Sequence, residues 1–163
     1  MDDIDFADGM INIDHQLLWE TNKGLYIDTP KSKSSIRKVP MSEEARKAFE
    51  RVIAWRGEPE PYTVDGYSGF LFVSESGKPY LAAHYQTVLR RAVQRYNKTH
   101  AEQLPKISPH VLRHTFCTRL ASKNMNPKSL QYIMGHADIN ITLNLYAHVS
   151  LDAVKAEVVK LIA

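Results

Sequence analysis

The sequence predicts a mainly α-helical domain with a small antiparallel β-sheet. Short strand-like segments bounded by turn residues occupy the first forty positions, and segments with apolar residues at helical spacing follow. The chain has 163 residues, 44% hydrophobic and 24% charged, which suits one globular domain with a single core. No apolar run approaches the ~20 residues that a membrane-spanning helix needs. The first residues do not form a secretory signal, so we expect the protein to act in the cytosol.

The first third is expected to hold the sheet and one helix. Short apolar runs and turn residues predict three strands, at 10–14, 24–29 and 36–40, with turns at 22–24 and 33–35. A helix over residues 42 to 55 follows, because Ser42 is a good N-cap and acidic residues occupy the first turn.

The middle of the chain is expected to be a loop, a strand and a basic helix. Residues 57–69 are rich in Pro, Gly and Tyr, residues 70–73 read as a short buried strand, and residues 82–97 as a helix. The helix should turn an apolar set inward, namely Val88, Leu89, Ala92 and Val93. It should turn a basic set outward, namely Arg90, Arg91 and Arg95.

A helix that begins after Ser108 and Pro109 is predicted to form a small cationic patch. Residues three and four apart are neighbours on a helix, so His110, Arg113 and His114 share one face. Cys117, the single cysteine, lies on the apolar side of this helix and is expected to be a small buried hydrophobe. One cysteine excludes a disulfide framework and a cysteine zinc cluster.

Three further helices are expected, at 127–134, 140–145 and 151–162. The first should end at Gly135, where a left-handed residue closes a helix, with His136 just outside it. Tyr146 follows the second.

Basic residues are concentrated in one part of the sequence. Residues 86–128 contain nine Lys or Arg against one acid, Glu102, although the whole chain carries a net charge of only +3. A basic middle with acidic flanks is typical of a phosphate-facing groove. The alternative for a charge run alone is a solvated helix surface.

Two segments carry a resemblance to a known family. HVLRHTFCTRLA (110–121) and LQYIMGHADINITLNLYAHV (130–149) place His-x-x-Arg-His, Met-Gly-His and a tyrosine in order. This order, spacing and apolar framework resemble the tyrosine recombinases, the family of phage and transposon integrases. TPKSKSSIRKVPM (29–41) resembles the β-hairpin that carries the family's catalytic lysine. The resemblance covers most of the chain and implies the tyrosine recombinase catalytic-domain fold.

The resemblance implies DNA strand cleavage and rejoining through a 3′-phosphotyrosine bond, with no cofactor. Tyr146 would be the nucleophile and His110 its proton acceptor. Arg113 would bind the phosphate, since its planar donors reach two oxygens at once and keep their charge. His136 would donate a hydrogen bond to the phosphate.

The general acid toward the leaving 5′ oxygen would be Lys31, which matches the family's Pro-Lys position. Lys33 is the alternative, because two residues on along an extended chain it points to the same side. Lys33, His114 and the three arginines of the basic helix are expected to face DNA, and His114 is also expected to support the helix that carries Arg113.

Structural alternatives exist for three of the site residues. Arg113 could neutralise the C-terminus of a neighbouring helix or pair with an acid, His136 could be a helix cap, and Tyr146 could be a packing aromatic. Among competing tyrosines, Tyr132 is expected in the core. A metal site is not expected, because Val111 follows His110 where the zinc-protease pattern requires Glu.

The expected partners are double-stranded DNA at an attachment or crossover site, other integrase protomers in a tetrameric synapse, and a directionality factor. No membrane partner is expected. Two alternatives stay open, a non-catalytic basic DNA-binding module and a type IB topoisomerase, which shares this chemistry.

The chain is expected to be one domain, residues 1–163, and a fragment. The family has a Thr-Gly-x-Arg segment with its first catalytic arginine shortly before an acidic stretch like that at residues 2–6. We therefore expect the first helices, the core-binding domain and any arm-binding domain to be missing, and the fragment alone to have little activity. The apolar face of the helix at 151–162 is expected to dock either on a neighbouring protomer or on its own core.

Overall fold

A computed structural model of the protein describes residues 3–146 together with residues 155, 158 and 159. Five α-helices and two small antiparallel sheets make up this part of the chain, which confirms the predicted fold class. The predicted tail helix at 151–162 lies outside the described residues, apart from these three positions.

Five short strands form two separate sheets. They are β1 (Ile4–Asp5), β2 (Met10–Ile13), β3 (Gln16–Glu20), β4 (Gly24–Asp28) and β5 (Arg37–Pro40). One sheet has the order β1-β2-β5, and the other is the hairpin of β3 and β4. The expected single sheet is wrong in one respect, because β4 and β5 belong to different sheets. Residues 29–36 between them, called the lysine segment here because they include Lys31 and Lys33, are a crossover and not a hairpin turn.

Helix α1 (Glu43–Arg56) begins as predicted. The Ser42 hydroxyl accepts a hydrogen bond from the amide of Ala45 at 3.2 Å, and two acidic residues occupy the first turn. The predicted strand at 70–73 does not form. Val73 makes only an isolated bridge with Pro79, and Phe72 packs edge-on against Tyr85 with ring centroids 5.5 Å apart.

Helix α2 (Ala82–Thr99) has no buried residue. Leu89 and Val93 are half-buried, but Val88 is 62% exposed and Ala92 is also exposed, so the expected inward set is only half right. The reason is that no other helix in the described part of the chain packs closely along this face.

The core lies between the last helices, α3 (Pro109–Ser122), α4 (Pro127–Met134) and α5 (Ile139–Leu143), which a 3-10 turn extends to Tyr146. The buried cluster consists of Cys117, Ala121, Leu130 and Met134. Its position confirms that Cys117 is a buried hydrophobe. Tyr132, expected in the core, is instead 55% exposed. Its hydroxyl accepts a hydrogen bond from the amide of Lys38 on β5.

No helix in the described part of the chain is long and apolar enough to cross a membrane.

Candidate active site

Local sequence signals fix the start of α3 and both ends of α4, the two helices that frame the site. The Ser108 hydroxyl caps α3, and Pro109 occupies its first turn, where a missing amide proton costs nothing. The Asn126 side chain accepts from the amides of Lys128 and Ser129 at the start of α4. Gly135 ends α4 in the left-handed conformation, with φ of 66°. These boundaries match the sequence predictions.

Arg113 lies on α3 and reaches across to α4. One of its terminal nitrogens donates a hydrogen bond to the carbonyl of Met134, the last residue of α4. A cation is favourable there because the C-terminal end of a helix carries partial negative charge. This contact agrees with the structural alternative for Arg113, in which the arginine neutralises the C-terminus of a neighbouring helix. It also holds the guanidinium beside His136, where its charge adds to the effect of burial in lowering the pKa of that imidazole.

His136 is held by a buried threonine. Its Nδ1 lies 2.9 Å from the hydroxyl of Thr142, which is completely buried on α5. Burial, and then the charges of Arg113 and Arg37, lower the pKa of His136 below its ordinary value of 6.5. The imidazole is therefore neutral at neutral pH, with its second ring nitrogen left to make another contact.

Tyr146 ends the 3-10 turn and packs against the buried cluster. Its hydroxyl donates a hydrogen bond to the carbonyl of Met125, in the turn between α3 and α4. Burial, and then the neighbouring Cys117, raise the pKa of the phenol above its ordinary value of 10. The phenol is thus protonated, and its proton is engaged by the backbone.

The two histidines of α3 lie on the surface. His110 and His114 are exposed, and neither imidazole hydrogen-bonds to any residue between 3 and 146. The expected support of α3 by His114 stays a prediction.

The lysine segment also lies on the surface. Lys31 and Lys33 are both exposed, and Lys33 opens a 3-10 turn that ends at Ser35. Within the described chain, no hydrogen bond or ion pair links either lysine to Arg113, His136 or Tyr146.

The three arginines predicted to face DNA are exposed on α2. None of Arg90, Arg91 and Arg95 pairs with a carboxylate among residues 3–146. Their charges are therefore open to an external anion, although they lie on a different element from the three site residues above.

Sequence reasoning missed two residues, Arg37 and Thr142. Arg37 on β5 lies against the end of α4, where Nε donates to the carbonyl of Ile133 at 2.8 Å. The alternation of β5 gives a signal for it, because Arg37 shares the half-buried face with Val39 while Lys38 and Pro40 are exposed. Thr142 carries no comparable signal, since a threonine in a short helix is usually on the surface.

One group of possible metal ligands occurs in the described residues, at Asp3, Asp14 and His15. It belongs to the β1–β2 region and not to the helices that carry Arg113 and His136. Partly exposed acidic groups of this kind are common without an ion, so we assign no metal to it.

Comparison with known proteins identifies the family. Residues 1–152 match the model of the phage integrase family. The transposase of transposon Tn916 from Enterococcus faecalis is 52% identical over 159 residues, which cover 98% of this chain and 39% of that protein. A tyrosine recombinase XerC from Erythrobacter litoralis is 36% identical over 69% of this chain and 32% of its own length.

Solved structures agree with the sequence comparison. The Tn1549 transposon integrase in complex with transposon right end DNA, solved with a tyrosine-to-phenylalanine substitution, superposes with a TM-score of 0.88 at 51% identity. The match covers 99% of this chain and 52% of that one, which comprises residues 82–397 of the integrase, so this chain spans about half of the solved fragment. The XerA recombinase, at 23% identity and a TM-score of 0.61, shares the fold. On the family match and these relatives together, the chain belongs to the phage integrase family of tyrosine recombinases.

Proposed function

We propose that the chain is the catalytic part of a site-specific DNA recombinase that integrates or excises a mobile element. Over the matched region, the chain is about half identical to a transposon transposase and to a transposon integrase solved with transposon DNA. The DNA substrate implies a cytoplasmic place of action.

The observation that carries the proposal is the convergence of Arg113, His136 and Tyr146 on one packed unit. They come from α3, the end of α4 and the turn after α5. Tyr146 packs against the buried cluster, Arg113 donates to the carbonyl of Met134 in that cluster, and His136 follows two residues later and contacts Thr142. A cation, a neutral imidazole and a phenol are the groups that transfer of a phosphoryl group to a tyrosine requires.

The proposed reaction is a transesterification, in which the tyrosine–phosphate bond stores the energy of the broken phosphodiester bond. The Tyr146 oxygen attacks the scissile phosphorus, a tyrosine–phosphate bond forms at the 3′ side, and the bond to the 5′ oxygen breaks. The phenol proton leaves to a base, and the 5′ oxygen takes up a proton as it departs. A 5′-hydroxyl of another strand reverses these steps, so no ATP is needed.

In this reaction Arg113 neutralises charge on the non-bridging oxygens, and His136 donates a hydrogen bond to one of them. The second role fits a neutral imidazole whose Nδ1 accepts from the Thr142 hydroxyl, because its Nε2 then carries the proton. We assign His110 as the proton acceptor and Lys31, with Lys33 as the alternative, as the proton donor to the 5′ oxygen.

The Tyr146 hydroxyl must leave the carbonyl of Met125 before it attacks. In the present arrangement the phenol is protonated, and its O–H donates to the Met125 carbonyl. When that hydrogen bond breaks, contacts with a DNA phosphate bound beside Arg113 replace it. We therefore propose that cleavage includes a rearrangement of the turn at Tyr146, and that protein without DNA keeps its nucleophile withdrawn.

The exposed arginines of α2 are proposed to bind the DNA backbone. Nonspecific phosphate contacts of this kind give register and affinity, and base contacts give sequence preference. Further protomers in a tetrameric synapse, and a directionality factor, are proposed as partners of the whole recombinase.

Further residues of the intact recombinase are proposed to cover the outer face of α3. Val111, Leu112 and Phe116 are each at least 42% exposed there, which is unusual for three large apolar side chains in close proximity. The relatives extend well beyond the matched region, consistent with additional helices and a core-binding domain.

The proposal is tested by trapping the covalent intermediate. The intact recombinase is incubated with a nicked duplex that carries an end of its mobile element, from which the short 5′-hydroxyl fragment diffuses away after cleavage. We expect a covalent protein–DNA adduct, its loss in Tyr146→Phe, and DNA affinity within about twofold of the original, because the substitution removes one oxygen and little binding surface.

Tyr132→Phe is the matched control. Tyr132 is an exposed tyrosine fourteen positions earlier whose hydroxyl contacts β5, so this variant should still form the adduct. An adduct that persists in Tyr146→Phe and disappears in Tyr132→Phe would move the nucleophile to Tyr132. No adduct from the unsubstituted recombinase would remove the catalytic assignment and leave the DNA-binding alternative.

A further inference from the structure

Arg37 connects two parts of the molecule that lie far apart in sequence. Its Nε donates a hydrogen bond to the carbonyl of Ile133 at 2.8 Å, and a terminal nitrogen donates to the carbonyl of Ser35 at 2.7 Å. The first acceptor is in the last turn of α4, and the second ends the 3-10 turn of the lysine segment. One planar side chain therefore joins the lysine segment to the helix that precedes His136.

The end of α4 is built around two arginines. Arg113 donates to the carbonyl of Met134, and Arg37 to the carbonyl of the residue before it. Neither guanidinium pairs with a carboxylate among residues 3–146. The partial negative charge of the helix end is thus the principal compensation for both cations.

The absence of a side chain at Gly135 leaves room for the Arg37 guanidinium. A Cβ built on Gly135 would lie 2.8 Å from a terminal nitrogen of Arg37 and 2.9 Å from its central carbon. The backbone is also in the left-handed region, with φ of +66°. The guanidinium therefore lies directly over the residue that connects α4 to His136.

Apart from Arg37, few hydrogen bonds connect the lysine segment to α4. The Ser32 hydroxyl bonds to the hydroxyls of Ser34 and Ser35 within the segment, and the backbone of the 3-10 turn closes on itself. Among the described residues, the link from this turn to the helical unit runs through Arg37, with a second contact one residue on between the Lys38 amide and Tyr132.

We propose that Arg37 is a positioning residue for strand cleavage, which holds the lysine segment against the end of α4 so that its lysine and His136 meet at one phosphate. The inference rests on the proposed recombinase function. Arginine suits the task because its planar fork presents donors on separate nitrogens in a fixed geometry to two carbonyls, whereas the donors of a lysine all lie on one atom.

The test compares two DNA substrates in the intact recombinase. One nicked duplex carries an ordinary scissile phosphate, and in the other sulfur replaces the bridging 5′ oxygen. A thiolate leaves without a proton, so cleavage of the sulfur substrate does not need the lysine. We expect Arg37→Gln to slow adduct formation about 10- to 100-fold on the oxygen substrate, a loss typical of misplaced catalytic groups. On the sulfur substrate the rate should stay within about threefold of the original.

Arg56→Gln is the matched control. Arg56 also joins a helix to a carbonyl outside it, that of Phe70 at 2.5 Å, and no side-chain hydrogen bond in the described residues links it to α4 or the lysine segment. Its loss should lower the melting temperature and change both cleavage rates by the same factor. Arg37→Lys should also cleave the oxygen substrate more slowly than the sulfur substrate. A single ammonium does not reproduce the geometry of the hydrogen bonds to Ile133 and Ser35. It also serves as the second variant should Arg37→Gln fail to fold.

If Arg37→Gln slows adduct formation equally on both substrates, the proposal is overturned, and the role of Arg37 is to stabilise the fold. Full recovery by Arg37→Lys on the oxygen substrate would overturn it also, because charge alone would then suffice. If the unsubstituted recombinase cleaves neither substrate, the recombinase function itself fails, which is a different result from an unselective Arg37 variant.

Discussion

Helices α4 and α2 differ in the contacts that stabilise them. Helix α4 has eight residues, a side-chain cap at its start, a left-handed glycine at its end and two buried residues, Leu130 and Met134. Helix α2 has eighteen residues, more than twice the length, and buries none of them. The short helix is fixed by tertiary contacts and carries part of the proposed site, whereas the long one has exposed arginines.

The difference follows from the neighbours of each helix. Helix α4 is packed against α3, α5 and β5, and arginines from two of these elements donate to its last carbonyls. On α2 the basic side chains are exposed, and its apolar residues line an open groove of about 600 Å³ with Trp55 and Phe72. Substitutions on the two helices should therefore alter different properties.

The largest expected effect is on stability and comes from α4. Leu130→Ala should lower the free energy of unfolding by about 2–5 kcal/mol, because it removes a completely buried side chain and leaves a cavity. Val88→Ala on α2 is the control. Val88 is 62% exposed, so its loss should change the value by no more than about 0.5 kcal/mol. Urea unfolding followed by circular dichroism at 222 nm measures both, and equal losses would contradict the comparison.

The next effect is on DNA binding and comes from α2. Neutralising Arg91 and Arg95 together with glutamine should weaken binding to duplex DNA on the order of 10- to 100-fold at moderate salt. It should also reduce the slope of log affinity against log salt by about 1.8, since each lost phosphate contact removes about 0.9. Titrations at several salt concentrations give both quantities.

Lys47 and Arg51 on α1 provide the matched control for this pair. They have the same four-residue spacing and are exposed, and Lys47 lies 3.6 Å from Glu43. Their neutralisation should leave the salt slope nearly unchanged. A similar drop in slope from both pairs would mean that α2 is not a preferred DNA-binding face.

The smallest effect is on pH dependence and comes from the end of α4. The pKa of His136 lies below 6.5 because of burial and the cations Arg113 and Arg37, while Thr142 faces its Nδ1. In the window between this lowered pKa and 6.5, the unfolded chain binds a proton that the folded chain does not. The free energy of unfolding should therefore fall as the pH drops through that window.

His136→Gln lacks this titration, so its stability should fall less than that of the unsubstituted chain between pH 7 and pH 5. Urea unfolding at a series of pH values measures the difference. An NMR titration of the His136 ring with a midpoint at or above 6.5 would refute the expected shift.

Sequence alone determined the helix boundaries around the site. Ser42 and Ser108 start helices, and Gly135 ends one, because capping is decided by hydrogen bonds within about four residues. The order His110, Arg113, His136 and Tyr146 was likewise sufficient to identify the family, which the comparisons confirm. The catalytic roles of these residues stay predictions.

Tertiary structure decided which groups meet. The strands β4 and β5 fall into different sheets, Tyr132 is exposed, and the Tyr146 hydroxyl is bonded to Met125. Arg37 lies 96 positions before the carbonyl that it binds. Strand pairing and long side-chain contacts depend on residues brought together by the whole fold, so no local pattern specifies them. Only the alternation within β5, which places Arg37 on the same face as Val39, gives a local indication that this arginine points inward.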